Sequence, residues 1–376
     1  MTPDILSGLF QALRNQPPPS SPWAPSGPVA IYGAGGFGRD LCRALQAEAI
    51  PVSAFLDRGA HPGQVWNGIP VLHPDQAEAE VWSEWTILLG IHNPGTSVRR
   101  LHDELSARGG RHLLTPIQVL DRLGLAFGNR YWLAPSRHLL GCEETVRAAR
   151  GLFEPESWAL FDAVIAQRAT GDYHHLPHPT HALDDYLPAD VASFDRPLRL
   201  VDGGAYDGDT LRGLLVHGLA PEAVAAFEPD PENFSKLAAW IRAQAGLDAA
   251  LWPCGLYAQT TQLHFSAGQG EASAITSGEG ITIQCVSIDE ALQGFRPTFL
   301  KLDVEGAEPE ALQGAAETIR QHRPFITAGL YHHPTHLWQV PLLLDRIQSG
   351  YRMHLRLHAE NGFDLWLHAV PPREDA

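Results

Sequence analysis

The chain reads as an α/β protein of two doubly wound, Rossmann-like sheets. Two glycine-rich turns, each set between a short apolar strand and a helix, carry that prediction. The first follows the strand Val29–Tyr32 at 33–38, and the second follows 198–201 at 202–208. A third observation is size: 376 residues with 44% hydrophobic side chains exceed one typical domain and suffice for two cores. The expected division is a helix and Pro-rich linker over 1–27, a nucleotide-binding-like domain over 28–125, a helical connector over 126–196 and a second α/β domain over 197–376.

Composition excludes several classes of function. Lys and Arg number 27 against 43 Asp and Glu, a formal charge of −16 with no basic run, so a nucleic-acid backbone would be repelled. Cys42, Cys142, Cys254 and Cys285 form no C-x-x-C pair, which argues against a disulfide framework or a structural zinc site. No long apolar run and no basic-then-apolar leader is found, so the expectation is a cytoplasmic protein without a membrane partner.

Ile5, Leu6, Leu9, Phe10 and Leu13 recur at helical spacing, ahead of a Pro/Ser-rich run at 16–28. Such a stripe can pack on its own domain or on a second copy in a homo-oligomer. Gly33-x-Gly35-x-x-Gly38 then opens a helix over 39–47, and Asp57 ends the strand Val52–Leu56. Glycines for the turn, a helix N-terminus for phosphate and an acid for ribose make the full dinucleotide-type pattern. Residues 66–71 read as a loop, 86–91 as a buried strand, 92–95 as a turn and 97–107 as a helix. Over 28–125 this order resembles the nucleotide-sugar-binding N-terminal domain of PglD-type sugar acetyltransferases. The alternative is a Rossmann unit that only scaffolds or dimerises.

In the connector, Trp158, Phe161, Val164 and Ile165 share one helical face, after which 172–179 leaves regular structure. His174, His175, His178 and His181 are rich in metal-binding chemistry but lack a ligand pattern on a defined element, so a solvated loop or cleft lip is the expectation.

In the C-terminal half, Asp202 stands at a strand end, and Gly203, Gly204 and Gly208 let the backbone turn sharply against a ligand. A second strand at 222–227 ends in Glu228-Pro229-Asp230, placed to take ribose hydroxyls, and a third at 298–302 ends in Asp303-Val304-Glu305-Gly306-Ala307-Glu308. Further strands are expected at 253–257, 262–265, Ile281–Val286 and 324–331, with Ser287 capping a helix and Trp366 and its neighbours completing the sheet. The stretches VDGGAYDGDT, FEPDPENF and FLKLDVEGAE, in this order, resemble the FkbM-type methyltransferases that use S-adenosylmethionine. The resemblance implies a class I methyltransferase domain and a connector ending in a segment like Asp185-Tyr186-Leu187-Pro188.

It also implies roles. Asp202, Gly203, Gly204 and Ala205 would hold the methionyl part of the cofactor. Glu228 would take the ribose, and Pro229, Asp230, Asn233, Cys254 and Gly255 would border the adenosine. Asp207 and His333 depart from the family pattern. A hydroxyl acceptor needs a base at a strand end, for which Asp303, Glu305 and His332 qualify, with Asp303 and Glu305 on opposite sides if the strand persists. Their carboxylates could instead hold Mg²⁺. The expected activity is O-methylation of a sugar or polyol-like small molecule, such as a nucleotide-sugar or glycan. Its rival is a nucleotide-sugar- or NAD-binding protein with a non-catalytic methyltransferase-like domain.

Overall fold

The structure is a computed structural model and describes residues 5–16, 23–25, 27–124, 130–180, 186–188, 190–191, 197–244, 246–265, 275–276 and 280–372. Most of the Pro/Ser-rich run at 16–28, together with His181 and Asp185, lies outside them. The chain divides into two compact units. One comprises Met1–Glu144, Ala159–Pro179 and Ala359–Phe363; the other comprises Thr145–Trp158, Thr180–His358 and Asp364–Ala376.

The first unit holds β1 (Val29–Tyr32), β2 (Val52–Leu56), β3 (Val65–Trp66), β4 (Ile69–Leu72), β5 (Thr86–Leu89) and β6 (His112–Leu114) in the order β3-β4-β2-β1-β5-β6. All neighbours are parallel except β3 and β4. The neighbouring strands β1 and β5 are buried at every position, as central strands of a parallel sheet are. Residues 66–71, expected as a loop, form a hairpin. Asn67 (φ 49°) and Gly68 (φ 79°) make the two-residue turn that pairs Trp66 with Ile69, the Asn-Gly signal for a tight hairpin. The first helix, Ile5–Asn15, buries Leu6, Phe10 and Leu13, and its end is tied by Arg14 to Glu143 at 2.7 Å. Most of its stripe is thus covered by this chain's own residues, while Ile5 is exposed.

The second unit contains a seven-stranded sheet of β7 (Arg199–Gly203), β8 (Ala223–Phe227), β9 (Ala249–Trp252), β14 (Phe299–Leu302), β15 (Phe325–Gly329), β16 (Arg352–Leu357) and β17 (Leu365–Val370). A separate four-stranded sheet holds β10 (Gly255–Leu256), β11 (Thr261–Phe265), β12 (Ile275–Thr276) and β13 (Ile281–Val286). The large sheet runs β16-β17-β15-β14-β7-β8-β9, and only β17 is antiparallel to its neighbours. This is the doubly wound architecture predicted for the C-terminal half, with the strand carrying Trp366 placed inside the sheet. Its core gathers Leu200, Leu211, Val224, Leu237 and Phe299. The strand expected at 253–257 shrinks to the two residues of β10, and the small sheet it belongs to was not foreseen. Among the described residues no helix is long and apolar enough to cross a membrane.

Candidate active site

The carboxyl ends of β7, β8, β14 and β15 open onto one cavity in the C-terminal unit, about 1060 Å³ of atom-free space including its mouth. A crevice beyond the strand ends is where open α/β sheets bind ligands. The small sheet contributes an apolar wall through Leu256, Phe265 and Ile283, with Phe227 beside them at the end of β8.

The first strand end is built around a buried charge. Register pairs Asp202 of β7 with Lys301 of β14, so both side chains leave the sheet on one face. Lys301 Nζ lies 3.1 Å from Asp202 Oδ1 and 3.8 Å from Asp303 Oδ2, and it donates to the Gly204 carbonyl at 2.6 Å. It also stands 5.1 Å from the centre of the Tyr186 ring. Burial raises the pKa of Asp202 to about 6, with Lys301 opposing that rise. Sequence reading had passed over Lys301 as part of an apolar strand, although a lysine inside such a run is itself a signal that a partner is buried beside it.

Gly204 lets the turn close. Its φ is +73°, and a Cβ there would sit 1.9 Å from the Asp303 carbonyl oxygen. The next wall carries Glu228. Its Oε2 accepts from Tyr206 N and its Oε1 from Asp230 N, both at 2.8 Å, which aims the carboxylate along the cavity with lone pairs to spare. Burial raises the pKa of Glu228 to about 7.

Other expected cofactor residues divide by position. Gly204, Glu228, Pro229, Asn233 and Gly255 line the cavity, whereas Asp202, Gly203, Ala205, Asp230 and Cys254 do not. Asp230 caps the helix Pro231–Arg242, its Oδ1 accepting from Glu232 N at 2.9 Å and Asn233 N at 3.1 Å. An Asp followed by Pro at the first helical position is the sequence signature of such a cap. Cys254 is a buried thiol whose pKa burial raises to about 11. Asp207 pairs with Arg212, and His333 is exposed with Nδ1 2.8 Å from Thr335 Oγ1.

Asp303 and Glu305 would project to opposite sides if the strand persisted beyond Leu302. Instead β14 ends at Leu302, and Glu305 (φ 53°) and Gly306 (φ 107°) turn the chain, so both carboxylates line the cavity. Tyr331 Oη donates to Asp303 Oδ1 at 3.3 Å. Burial raises the pKa of Asp303, against Lys301 and His332.

His332 lies beneath this wall rather than on it, 2% exposed. Its Nδ1 is 2.7 Å from Glu308 Oε1, while its Nε2 is 3.3 Å from Asp303 Oδ1 and 3.7 Å from Glu305 Oε2. Glu308 Oε2 meets His336 Nδ1 at 3.1 Å, and Oε1 also accepts from Val304 N at 3.0 Å. Although burial would lower it, the His332 pKa is raised to about 10 by Glu308, Glu305 and Asp303. The imidazole is therefore protonated at neutral pH and holds no lone pair for an acceptor's proton. Conversely, His332 and His336 hold Glu308 well below the usual carboxylate range, outweighing its burial. Glu308 and His336 were missed as a unit because their pairing spans separate elements.

That pairing fixes a pH dependence. A histidine raised from 6.5 to about 10 on folding contributes stability that is complete below pH 6.5 and is lost as pH rises through 10. Glu308, depressed from 4.5, contributes stability that is lost as pH falls below that value. Thermal melts from pH 7.5 to 9 should show a falling Tm in the parent and a flatter curve in His332→Gln. Equal slopes would assign the loss to another group.

The cation Mg²⁺ is poorly served here. Lys301 and His332 already place positive charge against Asp303, and among the described residues no three His, Cys, Asp or Glu side chains at this wall bring one ligand atom each within 4.8 Å of the other two.

In the N-terminal unit the other glycine turn has a different finish. Gly38 packs so closely that a Cβ would lie 2.0 Å from the Gly33 carbonyl oxygen, which accounts for the third glycine as a packing residue. Asp57 folds back onto the turn, Oδ2 accepting from Ala34 N at 2.7 Å and Oδ1 from Gly59 N at 2.8 Å. The acid expected at a ribose is thus engaged by the turn itself.

Residues 202–365 match the family model of the methyltransferase FkbM domain. All four strand ends around the cavity fall within that match. Among solved structures, the chain is similar to the methyltransferase FkbM of Methylobacillus flagellatus KT at 22% identity. That alignment covers 97% of this chain and 98% of the other with a TM-score of 0.79, a likeness of fold. Fibrillarin of Aeropyrum pernix, solved with natively bound S-adenosyl-L-methionine, aligns over 50% of this chain and 74% of its own at 12% identity. The TM-score of that alignment is 0.31. No curated protein matches the chain.

Proposed function

We propose that the FkbM domain binds S-adenosylmethionine and methylates a hydroxyl of a sugar or polyol-like small molecule. The observation that carries this reading is the chemistry of the cavity wall. Asp209, Glu228, Asp303, Glu305 and Asp364 line it, and no Lys, Arg or His does among the described residues. A cationic sulfonium donor, with its net positive charge, is favoured in such a field, and a ligand of net negative charge such as a diphosphate is opposed. Glu228 suits a pair of ribose hydroxyls, and the apolar wall of Phe227, Leu256, Phe265 and Ile283 suits a purine.

Bound S-adenosylmethionine would supply an electrophilic methyl group. The chain's part is to hold the acceptor in line with it and to take the hydroxyl proton as the oxygen attacks. Asp303 is the base in this reading. Its carboxylate faces the cavity, its basicity is raised by burial, and Tyr331 fixes its orientation. Trp366, Tyr186 and Tyr331 offer flat faces of the kind that sugar rings pack on, beside Glu305 and Asp364 as hydroxyl acceptors. An uncharged glycan or polyol therefore fits better than a nucleotide-sugar, whose diphosphate would meet five carboxylates. The N-terminal glycine turn is read as a scaffold without hydride chemistry, since Asp57 already closes it.

Titration calorimetry of the full chain with S-adenosylmethionine, its demethylated product, NAD and a UDP-sugar tests this. The first two should bind, and Glu228→Ala should weaken both by about 1 to 3 kcal/mol, the cost of leaving a buried hydrogen-bonding group unpaired. Unchanged affinity in a folded Glu228→Ala variant would put the ribose elsewhere, and tight binding of NAD alone would reverse the reading.

A further inference from the structure

We propose that the N-terminal unit holds a divalent cation of the zinc class between His102, Asp103 and His174, as a clasp. His102 and Asp103 lie on the helix Val98–Ala107, and His174 lies in the short turn Tyr173–His175. One ligand atom from each of the three is within 4.8 Å of the other two. His174 Nε2 is 2.8 Å from Asp103 Oδ1, and the two imidazole rings stand nearly perpendicular, 5.7 Å apart between centres. Two imidazoles and one carboxylate are a donor set for zinc and its neighbours, whereas magnesium and calcium prefer oxygen alone.

A second observation concerns the far side of His174. Its Nδ1 is 2.7 Å from Asp172 Oδ1, and that same oxygen accepts from His174 N at 2.9 Å. A carboxylate behind an imidazole is the arrangement that orients a metal-ligating histidine and fixes its tautomer. With Nδ1–H donating to Asp172, Nε2 faces Asp103 and His102. A cation there takes the place of the proton that otherwise lies between Nε2 and Asp103, so binding releases that proton to solvent. Three protein ligands leave a fourth position for water, which the 42% and 62% exposure of the His174 and Asp103 side chains provides. His178 is engaged elsewhere, its Nδ1 2.7 Å from Arg99 Nη2.

The bound cation would join residues 71 positions apart and stabilise the folded form by mass action. None of these residues lines the C-terminal cavity, so the proposal stands apart from the methyl-transfer reading.

Zinc chloride titrated into the full chain at pH 7.5, with magnesium chloride as the control, tests the clasp. The parent should take up one zinc equivalent above any weak background and no magnesium at that site, and zinc should raise its melting temperature. His102→Ala and His174→Ala should each weaken this event by about tenfold or more and abolish the melting shift. Asp172→Asn should weaken it by about 10- to 100-fold without changing the stoichiometry, the usual effect of losing a partner behind a ligand. His174→Gln gives the same reading if the alanine variant melts early without metal. Zinc uptake in both histidine variants equal to that of the parent overturns the proposal, as does magnesium binding with equal strength.

Discussion

Asp303→Asn is expected to lower turnover by roughly 10²-fold or more while leaving the affinity for S-adenosylmethionine within about twofold, the range for removing a general base. Asparagine keeps the size of the side chain and the hydrogen bond from Tyr331 but cannot accept a proton. The comparison with His332→Gln separates two roles on the same wall. His332 is protonated at neutral pH and lies 3.3 Å from Asp303, so its charge lowers the pKa of Asp303. Removing that charge should move the acidic limb of kcat/KM to higher pH and leave activity at alkaline pH. Initial rates against pH for parent, Asp303→Asn and His332→Gln decide the matter. A histidine base would instead make His332→Gln the inactive variant and leave Asp303→Asn near the parent rate.

The strand ends were legible in the sequence because each couples a short apolar run to an acid or a glycine, and those are local signals. Asp202, Glu228 and Asp303 all fall at the carboxyl ends of neighbouring strands. Residues that act through tertiary pairing were not legible. Lys301 gains its meaning only from the register that sets it against Asp202, and Glu308 only from imidazoles in positions 332 and 336. Asp230 shows the converse: its capping signature was local and readable, but its place beside Glu228 drew a ligand reading. The cavity's aromatic and acidic side wall, with Tyr186, Asp364 and Trp366, comes from segments far apart in the chain, so spacing alone could not assemble it. His174 is similar, since its neighbours His102 and Asp103 lie on a helix that the connector's own sequence does not mention.

Gly204→Ala is expected to destabilise the C-terminal unit by about 2 to 5 kcal/mol, combining the left-handed backbone penalty with forced displacement of packed atoms. The added Cβ would meet the Asp303 carbonyl oxygen at 1.9 Å, and that atom is backbone, so relief requires the ends of β7 and β14 to separate. Those ends carry Asp202, Lys301 and Asp303, so the strain falls on the charged cluster as well as on the fold. Gly213→Ala is the matched control in the helix Asp209–Val216. Its Cβ meets nothing within 4 Å and its φ is ordinary, so alanine there should stabilise by roughly 0.5 to 1 kcal/mol. Calorimetric melts should therefore move in opposite directions, by about 5 °C or more downward for Gly204→Ala and slightly upward for Gly213→Ala. In whatever Gly204→Ala protein remains folded, cofactor affinity should also fall, because the Gly204 carbonyl that Lys301 binds at 2.6 Å has moved. A Gly204→Ala variant that melts with the parent and binds S-adenosylmethionine normally would mean that the turn is looser than the close approach of Gly204 and Asp303 implies.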